Sequence, residues 1–448
     1  MVQKKLVVLG GGESGIGAAI LGKLKGFDVF LSDRSPISDK YRDVLLRENI
    51  KFEEALHTES VILDADEVIK SPGIPDKAPI ILALVSKGIP VISEIEFAAR
   101  YTNARLIAVT GSNGKTTTSL LTYHLLHEAG LNVGLAGNIG ESFAWQVAEK
   151  NFDYYVLEIS SFQLDNSYDF RPSIAVILNI TPDHLDRYEY NFQNYVDSKF
   201  RIVQNQRPED HFIYFTDSEV ISIELAKRSI PSKKWGISLD EALAQGGYLK
   251  NQKLISKHAE TVYEQDFAEL PIKGPHNAVN ALASILVAQC VGLKQEEIKS
   301  GLLSFKNAPH RLEQVAVLDG VTYVNDSKAT NVDSVYYALG SFEQPIVLIA
   351  GGVDKGNDYS QIEALVRKKV KALIILTPKF EKLKAYFGEI VPQIYVTEDV
   401  QDAVNQAQKW SESGDVVLLS PACASFDLFK NYEDRGDKFK QAVHNLTT

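Results

Sequence analysis

The sequence predicts an α/β protein of three domains in series, each built on a sheet of mainly parallel strands. Three observations carry this reading. An apolar strand, Lys5–Leu9, runs into the glycine cluster Gly10-Gly11-Gly12-Glu13-Ser14-Gly15-Ile16-Gly17. A second apolar run, Leu106-Ile107-Ala108-Val109, runs through Thr110 into Gly111-Ser112-Asn113-Gly114-Lys115-Thr116. Beyond residue 307, three further apolar runs each end in a polar or glycine-rich loop. Strand, glycine turn and helix in repeated succession is the pattern of parallel sheets with helical crossovers. The expected domains are 1–100, 101–307 and 308–448.

The first domain reads as a strand, a helix over 18–24 and a second strand over 28–31 that leads to Asp33, with short apolar runs and helical patterns continuing to about residue 100. The second opens on the strand before Gly111. Its later strands are expected at 154–159 and 174–179, and its helices at 192–203 and 277–290. Between 205 and 270 the pattern weakens into short polar strands and turns. Lys306-Asn307-Ala308-Pro309 reads as a linker, and Asp319-Gly320 between apolar runs as a hairpin turn. Strands at Ile346–Ala350, 372–376 and 416–420 then alternate with helices.

Composition narrows the function classes. Of 448 residues, 45% are apolar and 23% charged, the ordinary soluble globular range. The net charge of −11, with no lysine or arginine block, excludes a nucleic-acid partner. Cys290 and Cys423 lie too far apart in sequence for a disulfide framework, which suits a reducing compartment. Met1–Lys5 shows no signal-peptide pattern and no apolar run reaches bilayer length, so a cytoplasmic location is expected.

The turn at Gly111–Thr116 is the strongest chemical signal. Glycines let backbone N–H groups close around phosphate oxygens, the helix N-terminus adds partial positive charge, and Lys115 adds a full one. Thr116 is placed to offer its hydroxyl to Mg²⁺. The general P-loop pattern G-x-x-x-x-G-K-[ST] has glycine where this chain has Val109. The chain is therefore read as binding a nucleoside triphosphate.

The first glycine cluster contains G-x-G-x-x-G, with Asp33 at the end of the next strand, so the first domain reads as Rossmann-like. Alone, this is compatible with NAD or FAD, with a structural turn, or with another diphosphate-bearing ligand such as a nucleotide-sugar. A dehydrogenase gives Lys115 no task. Glu158, at the end of a predicted strand, is placed to hold Mg²⁺ facing the P-loop, or is a solvated loop carboxylate. His184, between Asp183 and Asp186, reads as a metal ligand, a substrate contact or a surface histidine. Lys199 reads, on spacing alone, as a solvated helix lysine. Asn277 and Asn280 lie about one turn apart at a helix start, as ligands or caps. Arg311 follows the linker. The loops 325–331, 351–356 and 420–427 close three strands of one domain, which points to a single binding edge.

Taken together these motifs resemble the Mur ligases, the ATP-dependent amino-acid-adding enzymes of peptidoglycan synthesis. Thr110-Gly111-Ser112-Asn113-Gly114-Lys115-Thr116 is similar to that family's own P-loop, which accounts for the missing early glycine. The three C-terminal loops, with Lys430-Asn431, resemble the D-glutamate-adding branch. The resemblance covers all three domains. It implies a Rossmann-like domain for the UDP moiety of UDP-N-acetylmuramoyl-L-alanine, a central P-loop ATPase-type domain and a Rossmann-like C-terminal domain for D-glutamate. Glu13, Ser14, Asp33, Arg34, Ser35 and Gly73 then match the UDP site, and Asn138 and His184 the sugar-peptide contacts. Gly111, Ser112, Asn113, Gly114, Lys115, Thr116 and Thr117, with Asn277, Asn280, Arg311 and Asp326, match the ATP site.

By the same resemblance Thr116 and Glu158 hold Mg²⁺, while His184 shares a second ion with Lys199, at the position the family carbamylates. Lys115, Glu158, His184 and Lys199 are the implied catalytic set. Lys328, Thr330, Lys355, Ser425, Phe426 and Tyr432 match the D-glutamate pocket. Three departures stand out. Phe426 and Tyr432 replace an expected Leu and Phe, with adjusted packing expected, and Asp33-Arg34-Ser35 replaces Asp-Thr-Arg. The implied enzyme is a monomer that joins D-glutamate to the L-alanine carboxylate through an acyl phosphate, with closure about hinges near residues 100 and 307.

Overall fold

The computed structural model describes residues 3–447. The chain divides into two compact units, one of residues up to 266 with 279–305, the other of 267–278 with residues from 306 onward. The first unit contains two sheets and the second unit one. In each sheet a central strand, flanked on both sides by parallel neighbours, positions one cluster of functional loops.

The first sheet comprises β1 (Lys5–Leu9), β2 (Asp28–Ser32), β3 (Lys51–Glu53), β4 (Glu67–Lys70) and β5 (Val91–Ile92) in the order β3-β2-β1-β4-β5. Every pairing is parallel. Leu6, Val7, Val8 and Leu9 are all buried, as expected of a strand covered on both faces. The glycine loop follows β1, between the ends of β2 and β4. Gly10 has φ +105°, and a Cβ there would meet Ser71 Oγ at 2.3 Å, so only glycine fits.

The second sheet has nine strands: β6 (Arg105–Thr110), β7 (Val133–Gly137), β8 (Tyr154–Glu158), β9 (Ile174–Ile177), β10 (His211–Phe215), β11 (Lys233–Ser238), β12 (Gly246–Lys250), β13 (Lys253–His258) and β14 (Thr261–Asp266). Their order is β14-β13-β12-β11-β10-β9-β6-β8-β7. The P-loop follows β6, between the ends of β8 and β9, and leads into the helix Lys115–Glu128. The weak stretch at 205–270, read as short polar strands and turns, forms the outer strands of this sheet, with one helix, Glu219–Lys227, that the pattern did not show. β12, β13 and β14 pair antiparallel, and β14 alternates exposed and buried positions along its length. A half-solvated strand carries no continuous apolar run, which is why the pattern faded.

The third sheet comprises β15 (Glu313–Leu318), β16 (Val321–Asn325), β17 (Ile346–Ala350), β18 (Val370–Leu376), β19 (Ile394–Thr397) and β20 (Val416–Leu419). The order is β15-β16-β20-β17-β18-β19, with only the β15–β16 hairpin antiparallel. Insertion of β20 between β16 and β17 makes those three strands neighbours, so the loops after them share one edge.

A hinge near residue 100 is not what the packing provides. Ser93 N–H donates to Asn166 O at 2.7 Å, and its hydroxyl meets Ser167 Oγ at 2.9 Å. One carboxylate oxygen of Glu96 accepts the N–H groups of Tyr168, Asp169 and Phe170 at 2.8–3.1 Å. Glu94, fully buried, accepts from Ser142 Oγ and Ala144 N, and burial pushes its carboxyl up to about 7. Buried acids bonded across the two sheets resist relative motion there, because breaking those bonds would strand polar groups in an apolar interface.

Candidate active site

At the first sheet, a cleft of about 700 Å³ is lined by Gly10, Asp33, Arg34, Ser35, His57 and Gly73 among others. It lies beyond the carboxyl ends of the strands, where open α/β sheets take ligands. Asp33 closes the glycine loop: one carboxylate oxygen accepts Gly11 N–H at 2.6 Å and the other Ser35 N–H at 2.7 Å. Glu13 accepts from the Tyr41 hydroxyl at 2.9 Å, and Ser14 is half-buried beside it on the same helix. Gly73 belongs to a loop held from the second sheet by Arg187. That guanidinium donates to the carbonyls of Pro72, Gly73 and Ile74 and lies 4.4 Å from the Phe162 ring. His57, bonded to Ser32 Oγ at 2.6 Å, lines the cleft and was not foreseen from sequence.

At the second sheet the P-loop is tied to the β9 loop. Ser112 N–H donates to Asn179 O at 3.0 Å, Asn113 N–H to Asn179 Oδ1 at 2.8 Å, and Ser112 Oγ to Thr181 O at 2.8 Å. Gly114, at φ +84°, starts the helix, and a Cβ there would meet Asn280 Oδ1 at 2.5 Å. Asn280 in turn accepts from Thr118 Oγ1 at 3.1 Å, so it braces the loop from the helix Pro275–Val291. Asn277, buried one turn earlier, donates to Lys273 O at 2.8 Å. Lys115 Nζ lies over its own loop, donating to Gly111 O at 2.7 Å and Ser112 O at 2.8 Å. Thr116 is half-buried and Thr117 buried in the first helical turn.

Glu158 is not a solvated carboxylate. It is 1% exposed, and β8 places it beside Val109, just before the P-loop. Asn138 donates from Nδ2 to Glu158 Oε1 at 2.7 Å. Glu158 Oε2 is buried with no hydrogen-bond partner among the described residues. An orphaned carboxylate oxygen in a dry setting calls for a cation. With the hydroxyl of Thr116, this oxygen-donor set fits Mg²⁺.

Lys199 is likewise not solvated. It is 1% exposed, with Nζ donating to Gly111 O at 2.8 Å and lying 4.6 Å from the Tyr195 ring centre. Burial, and then the charge of Lys115, hold its amine well below its ordinary value. That shift favours the uncharged, nucleophilic form of the amine over what an exposed lysine shows. His184 has φ +52°, packs on the Phe162 ring and places Nε2 3.5 Å from Asp183 Oδ2.

At the third sheet the three loops do converge. Val353 and Ala424 exchange backbone hydrogen bonds, and Ala422 N–H donates to Ala329 O at 3.0 Å. Asp326 accepts from Ser420 Oγ and Leu312 N–H, and burial pushes it up to about 7 against the pull of Arg311. His310 Nδ1 pairs with Asn325 Nδ2 at 2.9 Å. Lys328 Nζ sits 3.7 Å from the Tyr432 ring centre, and Ser425 is buried. Thr330 is half-buried and Lys355 exposed. Phe426 is 73% exposed.

Sequence reasoning missed the residue that joins these loops. Arg435, 1% exposed in the helix Tyr432–His444, donates to Ser327 Oγ and O, to Cys423 O and to Gly351 O. The signal was present: Phe439, Ala442 and Val443 share its helical face and are buried. Arg435→Ala is expected to cost about 3 kcal/mol or more, since several buried acceptors lose their donor. Arg435→Lys, charged but without the planar fork, is expected to raise the KM for the amino acid several-fold while kcat changes little. Denaturant melts and steady-state kinetics check both.

Three family models match in order along the chain: the MurD N-terminal domain over residues 5–79, the Mur ligase middle domain over 109–288 and the Mur ligase, glutamate ligase domain over 310–423. The chain belongs to the Mur ligase family. A UDP-N-acetylmuramoylalanine--D-glutamate ligase of Bacteroides thetaiotaomicron is 53% identical, covering 99% of this chain and all of that one. A namesake of Christiangramia forsetii is 52% identical over the same shares. Among solved structures, a pseudomurein peptide ligase type C from Methanothermus fervidus aligns at TM-score 0.63 and 20% identity, covering 99% of this chain and 100% of the other. UDP-N-acetylmuramate-alanine ligase from Thermotoga maritima aligns at 0.61 and 16%, with the same coverage. These two show the fold.

As a Mur ligase, the chain is an ATP-dependent, amide-bond-forming enzyme, and Mg²⁺ is typical of its family. No helix among the described residues is long and apolar enough to cross a membrane.

Proposed function

We propose that this Mur ligase joins D-glutamate to the L-alanine carboxylate of UDP-N-acetylmuramoyl-L-alanine, as a cytoplasmic monomer, in peptidoglycan precursor synthesis. The observation that carries the reading is the unbroken likeness, above 50% identity over nearly the whole chain, to ligases named for that substrate pair. The Gly10–Asp33–Gly73 cleft takes the UDP end. The P-loop, Asn277, Asn280, Arg311 and Asp326 take ATP. Lys328, Thr330, Lys355, Ser425 and Tyr432 form the D-glutamate end.

A carboxylate is a poor acylating agent, so ATP must activate it. The alanyl carboxylate oxygen attacks the γ-phosphorus and the bond to the β-γ bridging oxygen breaks, giving an acyl phosphate and ADP. Lys115 and the P-loop N–H groups hold the charge of the transferring group. Mg²⁺, one ion at Thr116 and Glu158 and a second at His184 and a carbamylated Lys199, supplies further charge neutralisation when bound. The uncharged amine of D-glutamate then attacks the acyl carbon, and the tetrahedral adduct expels phosphate. His184 positions groups and is not assigned as the general base.

The test is phosphate release with ATP, Mg²⁺ and UDP-N-acetylmuramoyl-L-alanine, in the presence of D-glutamate, L-glutamate, L-lysine, meso-diaminopimelate or no amino acid. Release with D-glutamate alone is expected. Equal release with another amino acid, or silence from every one while ATP still binds, would overturn the reading.

A further inference from the structure

At the opposite ends of the central strands from the P-loop, three groups that no step of ligation uses stand together. His211 opens β10, His258 closes β13, and Cys290 lies in the last turn of the helix Pro275–Val291. Cys290 Sγ is 3.4 Å from His211 Nδ1 and 3.5 Å from His258 Nε2. One ligand atom from each lies within 4.8 Å of the others, and all three residues are partly buried.

We propose that His211, His258 and Cys290 form a binding site for a thiophilic divalent cation of the zinc class. The distances carry it. A tetrahedral zinc ion with bonds of about 2.3 Å to sulfur and 2.0–2.1 Å to nitrogen sets S···N edges of roughly 3.6 Å. The two S···N distances, 3.4 and 3.5 Å, lie close to that edge, so the sulfur needs little movement relative to either nitrogen to admit the ion. Three protein ligands leave a fourth position for water.

The surroundings fix the ligand chemistry. Trp235 Nε1–H donates to His211 Nδ1 at 3.0 Å, which places the imidazole proton on Nε2 and leaves Nδ1 the nitrogen with a lone pair to give. An incoming ion takes this lone pair from the indole, so Trp235 reports on binding. Burial lowers both imidazoles, His211 to about 4, so they are uncharged as ligands must be. Arg105 and Lys233 bring positive charge to the cluster, and Asp210 negative charge to His211. Burial pushes the Cys290 thiol up to about 12, so the ion must displace the thiol proton, which a thiophilic ion does and oxygen-seeking Mg²⁺ does not. The ion would join β10, β13 and the helix that braces the P-loop through Asn280. It acts as a structural tie, with a raised melting temperature as its consequence.

The probe is Co²⁺, added to the full-length protein after chelator treatment, with Mg²⁺ in excess to fill oxygen-donor sites. The expected result is one equivalent bound, with a thiolate-to-cobalt charge-transfer band, four-coordinate visible bands and quenching of Trp235 fluorescence. Cys290→Ser is expected to abolish the charge-transfer band, and His258→Gln to weaken binding at least about tenfold, with ligation rates near wild type in both. Should the serine variant not fold, the glutamine variant decides. No charge-transfer band in the wild type, a band that survives Cys290→Ser, or unchanged affinity in His258→Gln would overturn the site.

Discussion

Lys199→Ala is expected to lower kcat by about 10²–10³-fold, and millimolar formate or acetate to restore a measurable part of it. The size follows from the role proposed for Lys199, an anionic metal ligand in a buried site beside the P-loop. The rescue follows from the chemistry of the side chain. The Lys199 amine is buried, and that burial, then the charge of Lys115, hold it well below its ordinary value. An uncharged amine adds to CO₂, forming an N–C bond and releasing a proton, and the product is an anionic carbamate. In the proposed carbamate the residue would change from a donor to Gly111 O into a carboxylate-like ligand. A small carboxylate diffusing into the alanine cavity supplies that anion. Were Lys199 only a brace for the P-loop carbonyl, the variant would lose activity and no carboxylate would restore it. Steady-state rates with and without formate separate the two.

Lys115→Ala is expected to reduce kcat by about 10³-fold, with the KM for the UDP-linked substrate within a few-fold of wild type. Its ammonium lies on Gly111 O and Ser112 O. Those bonds hold the side chain against the loop whose N–H groups cradle phosphate. In the transition state the charge is needed on the transferring group, so its loss falls on kcat rather than on binding of the distant substrate. Lys115→Arg is expected to recover little, since a planar fork replaces a compact point charge. Activity within tenfold of wild type in Lys115→Ala would remove Lys115 from the phosphoryl transfer.

What was legible in the sequence was whatever a single strand and its following turn can encode. β1 with its glycine cluster and β6 with its P-loop sit where apolar runs and glycines placed them, and the polar loops after β16, β17 and β20 do share an edge. What was not legible depends on neighbours distant in the chain. Lys199 lies in a helix whose spacing cannot show that Gly111 covers it. Arg435 sits in a charged run, Glu-Asp-Arg-Gly-Asp, whose buried side appears only through Phe439 and Val443. The bond from Asn138 to Glu158 depends on the pairing of β7 with β8, which no local pattern shows. The edge strand β14 faded because it alternates exposed and buried positions.

The central claim is that this chain activates the L-alanine carboxylate as an acyl phosphate for D-glutamate. Its most direct test uses UDP-N-acetylmuramoyl-L-alanine carrying ¹⁸O in both carboxylate oxygens, with ATP, Mg²⁺ and D-glutamate, and mass analysis of the products. The account predicts one ¹⁸O in each phosphate released and one retained in the new amide carbonyl. Product formed with unlabelled phosphate, or phosphate released with no D-glutamyl product, would contradict it.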